Sequence, residues 1–295
     1  MLDFHPIEKS KIPLYESFYD RSSALGLEGN FASAYLWSSE YKIGVALFHD
    51  TLIKAYYRGD GTIWGYCMPT GKNVADAVEA VFADAKERGQ HAYFGYLSQS
   101  ERDTLEAMYP ERFLFERSTT TQDYIYLASD LAQLSGKKYH AKRNHISKYH
   151  RLYGEPDVRE ITSENTADML AVARGWCEEN ELNYREEGEY AVLCEAADNL
   201  RDLQLRGILI YIENKPVAFA LGKELSAVCF DISFEKALTA YDGSYAVINN
   251  EFAKRLTSYT YINREEDMGL EGLRKAKLSY HPVRIYDRYD GVPQW

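Results

Sequence analysis

Apolar and polar positions along the chain fall into short runs with two periods. Three strand-like runs lie close together at 43–48, 51–57 and 62–68, with His49-Asp50 and the RGDG stretch at 58–61 as turns. A helical spacing follows at 74–88, opened after Gly71 and closed by Gly89. Before these runs, 12–25 and 30–37 read as helices; after them come a strand at 91–96, a helix at 98–108 and strands at 113–115 and 123–127.

The second half repeats that order. Helices are predicted at 164–179, with Ser163 as N-cap, and at 187–200. Strands follow at 207–213, 216–223 and 227–234, then a helix at 244–256, a strand at 259–262, a helix at 270–278 and a strand at 283–289. A repeated supersecondary order points to duplication. Hairpin-linked strands combined with helical crossovers predict an α/β (mixed α+β) fold, each half a mixed sheet flanked by helices. The length, 295 residues, suits two domains, expected at 1–130 and 131–295.

Charge changes this picture locally. The chain carries 34 Lys and Arg against 45 Asp and Glu, a net charge of −11, which argues against a nucleic-acid or anionic-lipid surface spread over the whole molecule. Yet 137–151 holds six Lys/Arg, three His and no acid. As a helix it would set Lys138, Lys142 and His145 on one face, with Lys148 extending the stripe. That is an anion site for a nucleotide, tRNA or lipid phosphate, or else a solvated bridging helix. His140, His145 and His150 recur every five residues, so they diverge on a helix and no metal is expected. Cys67, Cys177, Cys194 and Cys229 form no C-x-x-C pair and read as reduced thiols of a cytoplasmic protein. No run approaches the length of a membrane span, and no secretory signal is visible.

A second dense segment is YINREEDMGLEGLRKAKLSYHP at 261–282. Asn263 is placed to cap the next turn. Glu265, Glu266 and Asp267 put three carboxylates at the carboxyl end of a strand, where open sheets hold ligands and where crowding raises a pKa toward that of a general base. In the run from Cys229 to Glu235, strict alternation would set Phe230, Ile232 and Phe234 on one face and Asp231, Ser233 and Glu235 on the other.

The element order of each half is similar to that of the GNAT acyltransferase fold. The blocks GKKYHAKRNHISKY, FEKA with GSYAVINNEFA, and YINREEDMGLEGLRKAKLSYHP, with NFASAYLW and DYIY, resemble a bacterial family of soluble proteins related to the C-terminal domain of phosphatidylglycerol lysyltransferase. The resemblance implies two tandem GNAT-like domains. The named relative moves an aminoacyl group from tRNA to a lipid head group, so the resemblance implies aminoacyl-tRNA as donor and a phospholipid or an amine as acceptor; the alternative is an acyl-CoA-dependent N-acetyltransferase of the GNAT fold with a divergent loop. GNAT enzymes that use acetyl-CoA carry a [Q/R]-x-x-G-x-[G/A] loop; of AYDGSY at 240–245 only Gly243 fits, which weighs against acyl-CoA. A non-catalytic binding protein on the same fold is a third reading.

For a transferase, the expected base is Glu235 or Glu265/Glu266. Lys236, Asn249 or Asn263 would stabilise the oxyanion, and Tyr280 would protonate the leaving group. Lys138, Lys142, Arg143, Asn144, Lys148 and Gly243 would hold donor phosphates, while Asp231 and Arg264 would contact substrate. Oligomeric state stays open.

Overall fold

The structure, a computed structural model, describes residues 1–294. Its first half runs β1 (His5–Pro6), α1 (Ile12–Glu16), α2 (Phe31–Leu36), α3 (Ser38–Tyr41), β2 (Ile43–Phe48), β3 (Thr51–Tyr57), β4 (Ile63–Tyr66), β5 (Thr70–Gly71), α4 (Val74–Glu87), β6 (Phe94–Leu97), α5 (Gln99–Met108), β7 (Phe113–Arg117) and β8 (Asp123–Leu127). The second runs α6 (Ala128–Gln133), α7 (His140–Tyr153), β9 (Asp157–Glu160), α8 (Thr166–Glu179), α9 (Gly188–Asp198), β10 (Arg206–Ile212), β11 (Lys215–Ser226), β12 (Cys229–Ala237), α10 (Ser244–Arg255), β13 (Tyr261–Asn263), α11 (Glu271–Leu278), β14 (Arg284–Tyr286) and β15 (Tyr289–Pro293).

The strands form two mixed sheets flanked by helices. One has the order β1-β2-β3-β4-β6-β15-β7, with β5 on β3; the other is β14-β8-β13-β12-β11-β10-β9. In each, a strand–helix–strand crossover joins a parallel pair, β4-α4-β6 and β12-α10-β13. The halves exchange strands. β8 sits between β13 and β14, pairing Leu127 with Tyr261 and Ile125 with Arg284. β15, the last strand, sits between β6 and β7. The chain crosses between sheets at Asp287-Arg288, and there Arg288 is buried with its guanidinium on the Glu28 carboxylate and 2.9 Å from Asp123 Oδ2. Two carboxylates from different segments satisfy one buried cation, which makes the crossing point specific.

One core lies between the sheets, where Ile43, Val45 and Leu52 pack with Met169, Val172 and Val192 of α8 and α9 and with Phe219, Leu221 and Phe234. A second lies under α6, α7 and α10, around Tyr126, Tyr139, Tyr149, Val247 and Phe252. A third fills the first sheet and α4.

The structure changes five of these expectations. Helix over 12–25 stops at Glu16, because Ser22-Ser23, Gly26 and Gly29 favour an irregular path that bridges the sheets: Arg21 donates to the Leu225 and Glu224 carbonyls, and Lys54 to that of Glu28. The basic segment is not one helix: a 3₁₀ turn holds 137–139, so Lys138 lies off α7. Asn165, not Ser163, is the N-cap of α8. The strand expected at 283–289 is two strands in different sheets.

The last difference concerns β12. Leu221 pairs with Phe234 but Gly222 pairs with Ile232, so Ser233 is an extra, bulged residue. A Cβ on Gly222 would overlap the Asp231 carbonyl oxygen, so the bulge closes only over glycine. The bulge breaks the expected alternation. Phe230 and Ile232 face the core under α10, Phe234 faces the core between the sheets, and Asp231 and Glu235 part to opposite faces.

Candidate functional site

β12 and β13 pair in parallel over three residues only: Cys229 with Tyr261, Phe230 with Ile262 and Asp231 with Asn263. Beyond that point the strands separate. β12 bulges and runs on to Ala237, while the chain after Asn263 turns away, with Asn263 Oδ1 accepting from Glu265 N at 2.7 Å. Glu265 is held at φ +56°. Two polar clusters lie at the split, one on each face.

On the α10 face, Glu235 Oε1 accepts from Arg264 Nη2 at 2.8 Å and Oε2 from Asn249 Nδ2 of α10 at 3.1 Å. The bulge turns Glu235 to this side, and β13 ends one residue before Arg264. Arg264 lies over Tyr280 and Tyr126, with its Cζ 5.0 and 5.6 Å from their ring centroids. Lys142 comes in from α7, its Nζ 3.8 Å from the centre of the Tyr280 ring. Burial and the Arg264 charge lower the Lys142 pKa to about 8, against the pull of Glu235. Burial raises those of Tyr280 and Tyr126, so both stay protonated. Two buried atoms here lack partners among the described residues: Arg264 Nη1, a donor, and Asn249 Oδ1, an acceptor. Buried polar atoms are normally satisfied. An unpaired donor and acceptor flanking one carboxylate suit a ligand that presents a carbonyl and an N–H.

On the other face, Asp231 Oδ2 accepts from Ser233 Oγ at 2.7 Å and from Asn30 Nδ2 at 3.2 Å. Asn263 Nδ2 reaches the Leu25 carbonyl at 2.8 Å and Asp123 at 3.3 Å. Lys277 Nζ donates to three successive carbonyls, those of Arg264, Glu265 (3.1 Å) and Glu266 (2.6 Å). It thereby holds the turn that carries Arg264.

The structure thus unites Glu235, Arg264, Asn249, Lys142 and Tyr280 on one face, and Asp231, Asn263, Glu265 and Glu266 behind them. It does not bring in the others. Lys236 points the opposite way from Glu235, onto Trp176 (3.6 Å to the ring) and Glu189 (2.6 Å). Lys138 pairs with Asp130 at 3.0 Å, and Arg143 donates to the Leu134 and Gly136 carbonyls. Asn144 is exposed beside His140. Lys148 pairs with Asp242. Gly243, at φ +89°, is the N-cap of α10, and a Cβ on it would sit 2.6 Å from the His145 carbonyl. So α7 is packed onto the N-terminus of α10.

Sequence reading missed Tyr126, Lys277, Asp123 and Asn30. Lys277 had a signal: it stands four residues after Leu273 on an apolar helix face. The other three join the site only through the strand exchange and the loop before α2.

The family model described as phosphatidylglycerol lysyltransferase, C-terminal, matches residues 21–290. A crystal structure of a conserved protein of unknown function from Bacteroides thetaiotaomicron is 35% identical, superposes with a TM-score of 0.92 and covers 100% of both chains. An uncharacterised protein of Mycoplasmoides gallisepticum is 25% identical over 202 residues, 68% of this chain; the match spans 64% of that relative's length, less than two thirds. At the level of fold alone, L-PGS from Bacillus licheniformis is 15% identical with a TM-score of 0.66, covering 96% of this chain and 91% of its own. A GNAT-family acetyltransferase from Colwellia psychrerythraea is 10% identical with a TM-score of 0.53, covering 99% and 98%. The fold is GNAT-like.

Proposed function

Because this chain belongs to the phosphatidylglycerol lysyltransferase C-terminal family, we propose that it transfers an aminoacyl group, at the split between β12 and β13, from an aminoacyl-tRNA ester to an amine or hydroxyl. One observation carries the reading: Glu235 is flanked by the unpaired Arg264 Nη1 and Asn249 Oδ1. The ester carbonyl accepts from Arg264 Nη1, and the α-amino group donates to Asn249 Oδ1. The acceptor's nitrogen or oxygen bonds to the ester carbonyl carbon as Glu235 takes its proton. Arg264 stabilises the oxyanion that forms. The C–O bond of the ester breaks, and Tyr280 gives its proton to the departing hydroxyl. The proton gathered at Glu235 then restores Tyr280, so the site ends as it began. Lys142 supplies positive charge for the donor's terminal phosphate.

The packing of α7 on α10 supports a donor other than acyl-CoA, since the helix N-terminus that would take a pyrophosphate is filled by the His145 carbonyl and the Lys148–Asp242 pair. The test is transfer from a panel of radiolabelled aminoacyl-tRNAs to amine and hydroxyl acceptors, with wild type, Glu235→Gln and Arg264→Ala. We expect transfer by wild type and a loss of roughly 100-fold or more in both variants. No transfer from any donor, or full activity in Glu235→Gln, overturns the reading.

A further inference from the structure

We propose that Asp231 and Glu265 share a single proton, and that this proton positions the turn that aims Arg264 at Glu235. This shared proton shapes the site whether or not the cleft transfers aminoacyl groups.

Asp231 is completely buried, and among the described residues its Oδ1 has no donor; Glu265 Oε1 is buried and has none there either. Asp231 stands opposite Asn263 in the strand pairing, Asn263 Oδ1 accepts from Glu265 N at 2.7 Å, and the Glu265 side chain is thereby brought against that of Asp231. Two ionised carboxylates in that arrangement would repel and leave both oxygens unsatisfied. One proton between them turns the contact into an O–H···O bond and satisfies both, as in other carboxyl pairs.

The surroundings favour the protonated pair. Burial is the main cause that lifts Asp231 to about 7 and Glu265 well above the carboxylate range. Asp123 of β8 and Glu266 of the same turn add like charge. Two donors, Ser233 and Asn30, are spent on the other Asp231 oxygen. The nearby cations are committed: Arg288 to Asp123 and Glu28, and Lys277 to backbone carbonyls, although its charge still draws Glu265 downward. Tyr41 of α3 faces Glu265 and Glu266, and Cys229 lies next to Asp231 on β12; burial raises both of their pKa values, so neither adds charge near neutral pH.

The turn needs such a fastening. Glu265 has a left-handed backbone, which a residue with a Cβ adopts only when its surroundings impose it. Asn263 Oδ1 holds its N–H and Lys277 its carbonyl, while the Asp231 contact holds its side chain. Arg264 is the preceding residue; Tyr124 and Lys277 pin the backbone of the turn, and the Asp231 contact sets the last degree of freedom, the position of the Glu265 side chain and with it the aim of Arg264 at Glu235. Asp231 and Glu265 are positioning residues.

Linkage fixes the sign. The pair holds one proton in the folded state at pH values where the unfolded chain has lost it, so its contribution is full below the ordinary carboxylate range near 4 and stability falls as pH rises from there through about 7. The limit is about tenfold in the folding constant per pH unit for one proton. The experiment is thermal and denaturant unfolding of the full chain from pH 5 to 9 for wild type, Glu265→Gln, Asp231→Asn and the neighbouring control Glu266→Gln. A Gln amide can donate permanently to Asp231. We therefore expect the fall in stability between pH 5 and 7 to vanish in Glu265→Gln, to shrink in Asp231→Asn and to persist in Glu266→Gln. Carboxyl ¹³C NMR of wild type should show a carboxyl titrating near 7 that is missing from Glu265→Gln. An unchanged slope in a folded Glu265→Gln, or wild-type carboxyls that all titrate below about 5, overturns the proposal. The NMR arm decides the matter even where a variant does not fold.

Discussion

Arg264 and Glu235 meet at 2.8 Å across the gap that opens where β12 and β13 cease to pair. Each is about nine-tenths buried, with 12% and 11% of its side chain exposed, so the ion pair is largely withdrawn from water. Coulomb attraction in such a setting is offset by desolvation, and the pair is weak grounds for extra stability. Removing one partner is another matter, because it strands the other charge. We expect Glu235→Ala to destabilise the fold by about 3 kcal/mol, with Glu235→Gln costing less because it retains the Asn249 contact. The double variant Arg264→Met/Glu235→Leu should recover most of the loss. Urea unfolding of the three variants measures this; a double variant no more stable than Glu235→Ala would contradict it.

Gly222 tests the bulge that turns Glu235 into the site. A Cβ there overlaps the Asp231 carbonyl oxygen, which is backbone and cannot swing aside. Gly222→Ala should therefore cost roughly 3 kcal/mol, at the upper end for overpacking. Gly59→Ala, in open space in a turn, is the matched control and should be close to neutral. Equal effects of the two substitutions would mean that the bulge does not depend on the glycine.

Acid stability should depend on Asp267. Arg274 donates to both of its oxygens at 2.7 and 3.0 Å, Tyr124 donates to it as well, and together these hold the carboxyl down at about 2 against its ordinary 3.8. A carboxyl depressed in the folded state contributes stability above its unfolded pKa, and the contribution is lost as pH falls from about 4 to about 2. Asp267→Asn should remove that part of the acid unfolding curve, and Arg274→Ala should remove part of it. Wild-type acid sensitivity in Asp267→Asn would show that other carboxylates dominate.

How much of this was legible in the sequence depended on the distance over which each feature is set. The hairpin strands 43–48 and 51–57 and the strand 123–127 match the expected bounds, because alternation and turn residues are local signals. The basic segment was visible, but composition did not show that Lys148, Lys138 and Arg143 have nearby partners and that Lys142 is the member facing the cleft. Glu235, Asn249 and Arg264 were each candidates, yet their convergence rests on a one-residue bulge that strict alternation denies. Tyr126 and Asp123 lay beyond reach, because only the exchange of β8 into the second sheet carries them to the site.

Lys142 offers the most direct reading of the cleft's electrostatics. Its pKa of about 8 has burial as the largest cause, Arg264 as the second and Glu235 opposing both. The signs for two variants follow. Arg264→Gln removes a repelling charge and should raise the Lys142 pKa, whereas Glu235→Gln removes an attracting one and should lower it. Stability has its own sign: the unfolded lysine keeps its proton to about 10.4, so between about 8 and that value the unfolded state binds more protons and folding strengthens as pH rises. Any anionic ligand held by the ammonium should bind more weakly over the same range. The pKa can be read from ¹³C shifts of reductively methylated lysines, with Lys142→Met assigning the resonance. If Lys142 titrates near 10 in wild type, or moves the same way in both variants, then its amine does not sense the Arg264–Glu235 pair.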